Sequence, residues 1–194
     1  MVRFASAVFK ESAVKPEPSQ PDPHPPSRPP VDPGQIVIRA ARIDDADAIN
    51  TMANLPGYRW GTLRMPHQTP ETTRKWLESR SPGDLVLVAE VEGRIAANGS
   101  ITRFLGRRAH AGTLGLGVHD DYQGRGIGSR MLREILAMAD DWLGLKRVEL
   151  TVYTDNSPAI SLYERAGFEH EGTHKAYAFR QGRYVDAYAM ARLV

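Results

Sequence analysis

Between strand-like and helix-like residues the chain reads Val118-His119-Asp120-Asp121-Tyr122-Gln123-Gly124-Arg125-Gly126-Ile127-Gly128-Ser129. Glycine lets a backbone approach an anion closely. The amides of a first helical turn have no internal partners, and the helix dipole favours negative charge there. The chemistry these residues can do is to cradle a phosphate. A P-loop needs Gly-Lys-Ser/Thr after four spacer residues, and that lysine is missing. A dinucleotide fingerprint starting at Gly124 needs glycine or alanine three positions after Gly126, where Ser129 stands. What fits is Gln-x-x-Gly-x-Gly at Gln123, Gly126 and Gly128. A plain glycine-rich turn ahead of a core helix would read the same way.

A second run narrows the choice. Asn156-Ser157-Pro158-Ala159-Ile160-Ser161-Leu162-Tyr163-Glu164-Arg165-Ala166-Gly167-Phe168 follows a β-branched stretch. Ala159, Leu162, Tyr163 and Ala166 fall on one helical side at steps of three and four. With both motifs in this order, the region 36–194 resembles the GNAT superfamily of N-acetyltransferases. Its acetyl-CoA loop matches Gln123 to Ser129, and its Asn-x-x-Ala-x-x-x-Tyr-x-x-x-Gly-Phe segment matches Asn156 to Phe168. Gly61-Thr62-Leu63, Glu149-Leu150-Thr151-Val152 and the closing Arg180 to Arg192 segment look like the bacterial L-amino-acid N-acetyltransferases.

The resemblance implies roles. The backbone of Gln123, Gly124, Arg125, Gly126, Ile127, Gly128 and Ser129 would hold the acetyl-CoA pyrophosphate, with Arg125 adding charge. Leu116, Gly117 and Val118 would flank the pantetheine arm, which pairs like an added strand in a splayed sheet. Asn156 would bond the arm, and Tyr163 would serve the leaving thiolate. A phenol near pKa 10 sits about 1.5 units above a thiol, so full proton transfer costs about 2 kcal/mol and a hydrogen bond suffices. His119 and Glu149 are the candidate general bases by position, though a neutral fraction of the amine can react through water. Tyr58, Arg59, Trp60 and Arg64, in the Pro56–His67 stretch, are the candidate acceptor residues, because an arginine suits a free amino acid's carboxylate. Direct attack of the amine in a ternary complex is favoured, since the chain has no cysteine to carry the acyl group. A peptide N-terminus as acceptor and a non-catalytic acyl-CoA-binding module are the rival readings.

These residues need a frame. Ile36–Arg39, Leu85–Val91, Arg94–Arg103, His110–Val118, Val148–Tyr153, His174–Phe179 and Tyr184–Arg192 read as strands. Asp44–Asn54, Thr69–Arg80, Ile127–Leu143 and Ser157–Ala166 read as helices. The order implies an α/β (α+β) domain. The GNAT likeness makes it a mixed, mostly antiparallel twisted sheet flanked by about four helices. Residues 36–194 would be that domain. Nine of the 14 prolines lie between Pro16 and Pro33, so residues 1–35 are expected to form a disordered, proline-rich tail.

Composition excludes other classes. Net charge is +2 over 194 residues, and the hydrophobic fraction is 41%. No basic field supports nucleic acid as a partner, and no apolar run reaches the roughly 20 residues of a membrane span. No metal site is expected: the chain has no cysteine and its histidines show no ligand spacing. The expectation is a cytoplasmic enzyme taking acetyl-CoA and a small-molecule amine, with a homodimer as an open option.

Overall fold

The computed structural model describes residues 29–194. Seven strands form one sheet: β1 (Ile36–Ala40), β2 (Leu85–Val91), β3 (Arg94–Arg103), β4 (Ala111–Val118), β5 (Arg147–Tyr153), β6 (Glu169–Arg180) and β7 (Arg183–Leu193). Their order across the sheet is β1-β2-β3-β4-β5-β7-β6, and every neighbouring pair is antiparallel except β4 with β5. Five α-helices accompany them: α1 (Ala46–Ala53), α2 (Pro56–Trp60), α3 (Pro70–Glu78), α4 (Ile127–Ala137) and α5 (Ser157–Arg165).

Apolar residues on both parities of the inner strands cover both faces of the sheet. Leu87, Ala89 and Val91 join Ile127, Met131, Ile135, Val148 and Leu150 in the larger core beneath α4 and α5. Val88 turns the other way and packs with Ala46, Ile49 and Leu77 from α1 and α3. Alternation along β5 does the same: Val148, Leu150 and Val152 enter the larger core, so Glu149, Thr151 and Tyr153 project from the opposite face.

The feature that makes a site is a failure of pairing. β4 and β5 pair only at Ala111/Arg147, Gly112/Val148 and Thr113/Glu149. Beyond Thr113 the two strands part, and the remaining half of β4 has β3 on one side and a gap on the other. The splay expected from the family likeness is therefore present.

Three expectations need correction. The helix read as Ile127–Leu143 stops being α-helical at Ala137 and continues as one wider turn, Met138–Trp142, held by Leu143 N–H donating to the Met138 carbonyl at 3.0 Å. The Pro56–His67 stretch, read as loop, begins with the helix α2. The expected tail 1–35 lies outside the described residues up to 28, but its end is folded. Val31 is buried in the larger core, and Pro33–Gln35 forms a 3-10 turn capped by Asp32. Val31 docks the segment's end together with the Asp32 turn, and the neighbouring prolines lessen the entropy lost on ordering it.

Candidate active site

The gap between β4 and β5 opens into a cleft of about 1050 Å³. Its walls are Thr113–Val118 of β4, Thr151–Tyr153 of β5, α2 with the following Gly61–Leu63, the Asp120–Ser129 segment, and one side of α5.

The β4 wall is a ready-made strand edge. His119 N–H donates to the Ala96 carbonyl at 2.9 Å, and Phe104 N–H to the Ala111 carbonyl at 3.0 Å. These two bonds set the phase of the β3–β4 ladder. Ala97/Val118 and Gly99/Leu116 are therefore the non-bonded pairs of the antiparallel pattern. The N–H and C=O groups of Leu116 and Val118 point away from β3, into the gap. Gln123 closes the end of this edge, its Nε2 donating to the Val118 carbonyl at 3.2 Å.

Gly124 and Gly126 have φ of +70° and +88°, in the left-handed region that glycine adopts without cost. Gly126 caps α4, and Arg130 N–H donates to its carbonyl at 3.0 Å. The amides of Ile127, Gly128 and Ser129 lie ahead of the helical ladder. Gly124, Gly126, Gly128 and Ser129 all line the cleft. Ile127 contributes backbone only, because its side chain is fully buried in the core. Arg125 is turned aside: its Nε donates to the Pro29 carbonyl at 3.0 Å, and its guanidinium lies over the Tyr122 ring. The guanidinium that does line the cleft is Arg165 of α5, one turn beyond Leu162, which packs beside Gly128.

Asn156 caps α5, its Oδ1 accepting from Ala159 N–H at 3.3 Å, and lines the cleft. Two helical turns carry the chain on to Tyr163. Its side chain is buried against Phe168 and borders the cleft, and its hydroxyl has no hydrogen-bond partner among the described residues. Burial pushes the phenol up to about 12.

The candidate bases are not at the cleft wall. His119 caps the turn Asp120–Tyr122, its Nδ1 accepting from Asp121 N–H at 3.1 Å, and packs edge-on against Tyr122. Glu149 lies at the closed end of the strand gap, in a separate 150 Å³ recess. It accepts from Arg108 at 2.8 and 2.9 Å and from Arg147 at 2.9 Å. Burial works to raise its pKa, but the bonds from Arg147 and Arg108 outweigh it and hold the carboxyl below its usual range. Such a carboxylate is a poor proton acceptor.

The acceptor candidates divide. Tyr58 and Trp60 line the cleft. Tyr58 lies over Gly117, its hydroxyl donating to Asn98 Oδ1 at 2.8 Å. Burial pushes this phenol, too, up to about 12. Arg59 and Arg64 do not reach the cleft. Arg64 bonds Asn50 Oδ1 at 2.6 Å and Thr73 Oγ1 at 2.9 Å, tying the α2 segment to α1 and α3. The arginine at this end is one the sequence did not single out. Arg180 lies over the rings of Trp60 and Tyr153 at 4.4 and 4.7 Å, donates to the Trp60 carbonyl at 2.9 Å and pairs with Asp155. No signal in the sequence ties it to Trp60, because 120 residues separate them. Among the described residues no group of His, Asp or Glu is arranged to hold a metal ion, and no helix is long and apolar enough to cross a membrane.

Known proteins share this sequence pattern and this fold. The model of the Acetyltransferase (GNAT) family matches residues 50–168. The L-amino acid N-acetyltransferase AaaT of Escherichia coli is 41% identical over 160 residues, covering 82% of this chain and 98% of that protein. The crystal structure of a ribosomal-protein-alanine N-acetyltransferase from Brucella melitensis superposes with a TM-score of 0.73 at 28% identity, over 81% of this chain and 99% of that one. A GNAT acetyltransferase from Streptococcus pneumoniae does so with a TM-score of 0.71 at 27% identity, over 82% and 99%. The splayed strands, the glycine loop and these likenesses together make the chain a member of the GNAT acetyltransferase family, an N-acetyltransferase that draws its acetyl group from acetyl-CoA.

Proposed function

We propose that the acceptor is the α-amine of a free amino acid, and that transfer is direct, within a ternary complex. The observation that carries this reading is the form of the cleft. A free strand edge runs from the glycine loop to a chamber roofed by α2 and walled by Tyr58, Trp60, Leu63, Tyr153 and Tyr177. An aromatic chamber suits an apolar amino-acid side chain. The likeness to an L-amino acid N-acetyltransferase supports the same class.

In this reading the amides of Gly124 to Ser129 bind the pyrophosphate, with Arg165 supplying charge. Leu116 and Val118 bond the pantetheine amides as a neighbouring strand would, and Asn156 meets the arm opposite them. The thioester then lies where β4 and β5 part, with Tyr163 beside the sulfur. The amine attacks the carbonyl carbon, the C–S bond breaks, and the thiolate leaves. A phenol held near 12 gives up its proton to a thiolate only at a cost of about 5 kcal/mol, taking 8.5 for the thiol. Tyr163 therefore stabilises the leaving sulfur with a hydrogen bond and stays protonated, a larger barrier to full transfer than unperturbed values imply. With Glu149 engaged by arginines and His119 facing Tyr122, the amine's proton passes to water. A peptide α-amine has a pKa of about 8; a free amino acid's lies higher because its own carboxylate favours the ammonium, so the reaction runs through the small neutral fraction, which grows with pH.

Arg180 is the anchor proposed for the acceptor carboxylate: it stands just behind the cleft lining, stacked on two rings of the chamber, and the acceptor would compete there with its partner Asp155. The test is thiol release from acetyl-CoA with amino acids and with their carboxamides. Arg180→Ala should cost the free acid its advantage over the amide and leave acetyl-CoA binding intact. Equal loss on both would remove Arg180 from acceptor recognition.

A further inference from the structure

The glycine loop is held from outside the catalytic fold. Val31 N–H donates to the Arg125 carbonyl at 3.1 Å, and Arg125 Nε returns a bond to the Pro29 carbonyl at 3.0 Å. The two bonds form a closed pair between residues 29–31 and the middle of the Gly124–Gly126 turn. Val31 is 5% exposed and belongs to the same core cluster as Ile127, the first residue of α4. Asp32 then ends the segment sharply: its Oδ1 accepts from Gly34 N–H at 2.9 Å, and its carbonyl from Gln35 N–H at 2.9 Å. β1 starts at the next residue. The segment is thus fixed at both ends, by a core valine and by a sheet.

Its target is the part of the loop with the greatest freedom. Gly124 and Gly126 flank Arg125, both at positive φ, with no neighbour within 4 Å of where a Cβ would stand. Two glycines in open space lose the most entropy when a ligand orders them. The bond to the Arg125 carbonyl, backed by the one from its guanidinium, orders the turn before the ligand arrives. It also explains why Arg125 points away from the cleft.

We propose that Pro29–Asp32 is a positioning strap for the acetyl-CoA loop, presetting the Gly124–Gly126 turn so that its amides face the cofactor. This rests on the reading of that loop as the pyrophosphate cradle. The strap touches neither thioester nor acceptor, so its contribution belongs to cofactor affinity and not to the chemical step.

The experiment compares four forms: the full chain, a chain beginning at Pro29, a chain beginning at Pro33, and the full chain with Val31→Ala. Initial rates against acetyl-CoA, calorimetric binding of CoA and thermal melting are measured for each. The chain from Pro33 should show KM for acetyl-CoA and Kd for CoA raised about tenfold, with kcat within about twofold, because only uniform binding is lost. Val31→Ala should give a smaller rise of the same kind. The chain from Pro29 should match the full chain. Unchanged KM and Kd in the chain from Pro33 would overturn the strap, as would a fall in kcat with no rise in KM. Gly126→Glu, measured alongside, separates the two readings. If it abolishes CoA binding while loss of the strap does nothing, the strap alone fails. If it leaves CoA binding intact, the cradle reading fails and the strap falls with it.

Discussion

Asp120 holds Tyr58 across the cleft. Its Oδ1 accepts from the Tyr58 backbone N–H at 2.8 Å, and its Oδ2 from Gly57 N–H at 2.8 Å. The carboxylate that opens the Asp120–Ser129 segment thus caps the N-terminus of α2, whose residues line the aromatic end of the cleft. A five-residue helix starting Pro-Gly has little stability of its own, so this cap decides whether the roof is formed.

Asp120→Ala removes two charge-assisted bonds, each of about 1.5–3 kcal/mol. The acceptor's KM should rise at least about tenfold, while the KM for acetyl-CoA moves by less than about threefold. Two-substrate initial-rate kinetics would show it. Equal rises for both substrates would mean that Asp120 supports the loop and not the roof.

Tyr58 also explains Gly117. A Cβ at Gly117 would stand 2.1–2.5 Å from the Tyr58 ring and hydroxyl, nearer than real atoms approach. Gly117→Ala should displace the ring from Asn98, lower the melting temperature by several degrees, and cost at least about tenfold in turnover. Tyr58→Ala costs stability of its own by emptying the ring's site, so the test is a double-mutant cycle: in the Tyr58→Ala background Gly117→Ala should cost almost nothing. An equal cost in both backgrounds would show that the ring is not what Gly117 makes room for.

Tyr163→Phe isolates the leaving-group bond. Removing one preorganised donor to developing charge costs roughly 10²–10³ in kcat, and the KM for acetyl-CoA should stay within about twofold. Because the hydroxyl has no partner among the described residues, the variant should melt no lower than the parent. A loss of cofactor affinity with turnover intact would take Tyr163 out of the chemistry.

Water as proton acceptor gives a simple pH profile. The rate with limiting acceptor should climb with pH toward the amine's own pKa, which in a free amino acid lies above the value of about 8 for a peptide terminus, with no break from a carboxylate. Glu149→Gln should keep the profile and most of the rate but lose stability. Its carboxyl is held low in the folded state, so its contribution is present above the unfolded value of about 4.3 and disappears as pH falls through the lower folded value. A profile that loses its rise in Glu149→Gln would restore Glu149 as the base.

Where local pattern determines structure, the sequence was legible. Leu85–Val91 and Arg94–Arg103, joined by Glu92-Gly93, are strands with those bounds, and both cofactor motifs fall on the cleft. What escaped depends on contacts distant in sequence. α2 needs a carboxylate 62 residues away. Val31 becomes core only because β1 and α4 meet beside it. β6 begins at Glu169, five residues before the expected His174, because register shifts near His170 and His174 break its alternation. Arg59 and Arg64 suit a carboxylate by type, yet neither lines the cleft: tertiary packing ties Arg64 to Asn50 and Thr73, and it is Arg180 that stacks on Trp60 and Tyr153.

The central claim is tested most directly by thiol release from acetyl-CoA across free amino acids, their carboxamides, short peptides and polyamines. The chain has no cysteine to add background to a thiol reagent. The account predicts rapid release with free amino acids bearing apolar side chains, and at least about tenfold slower release when the carboxylate is amidated. Release with peptides or polyamines but not with free amino acids would contradict it.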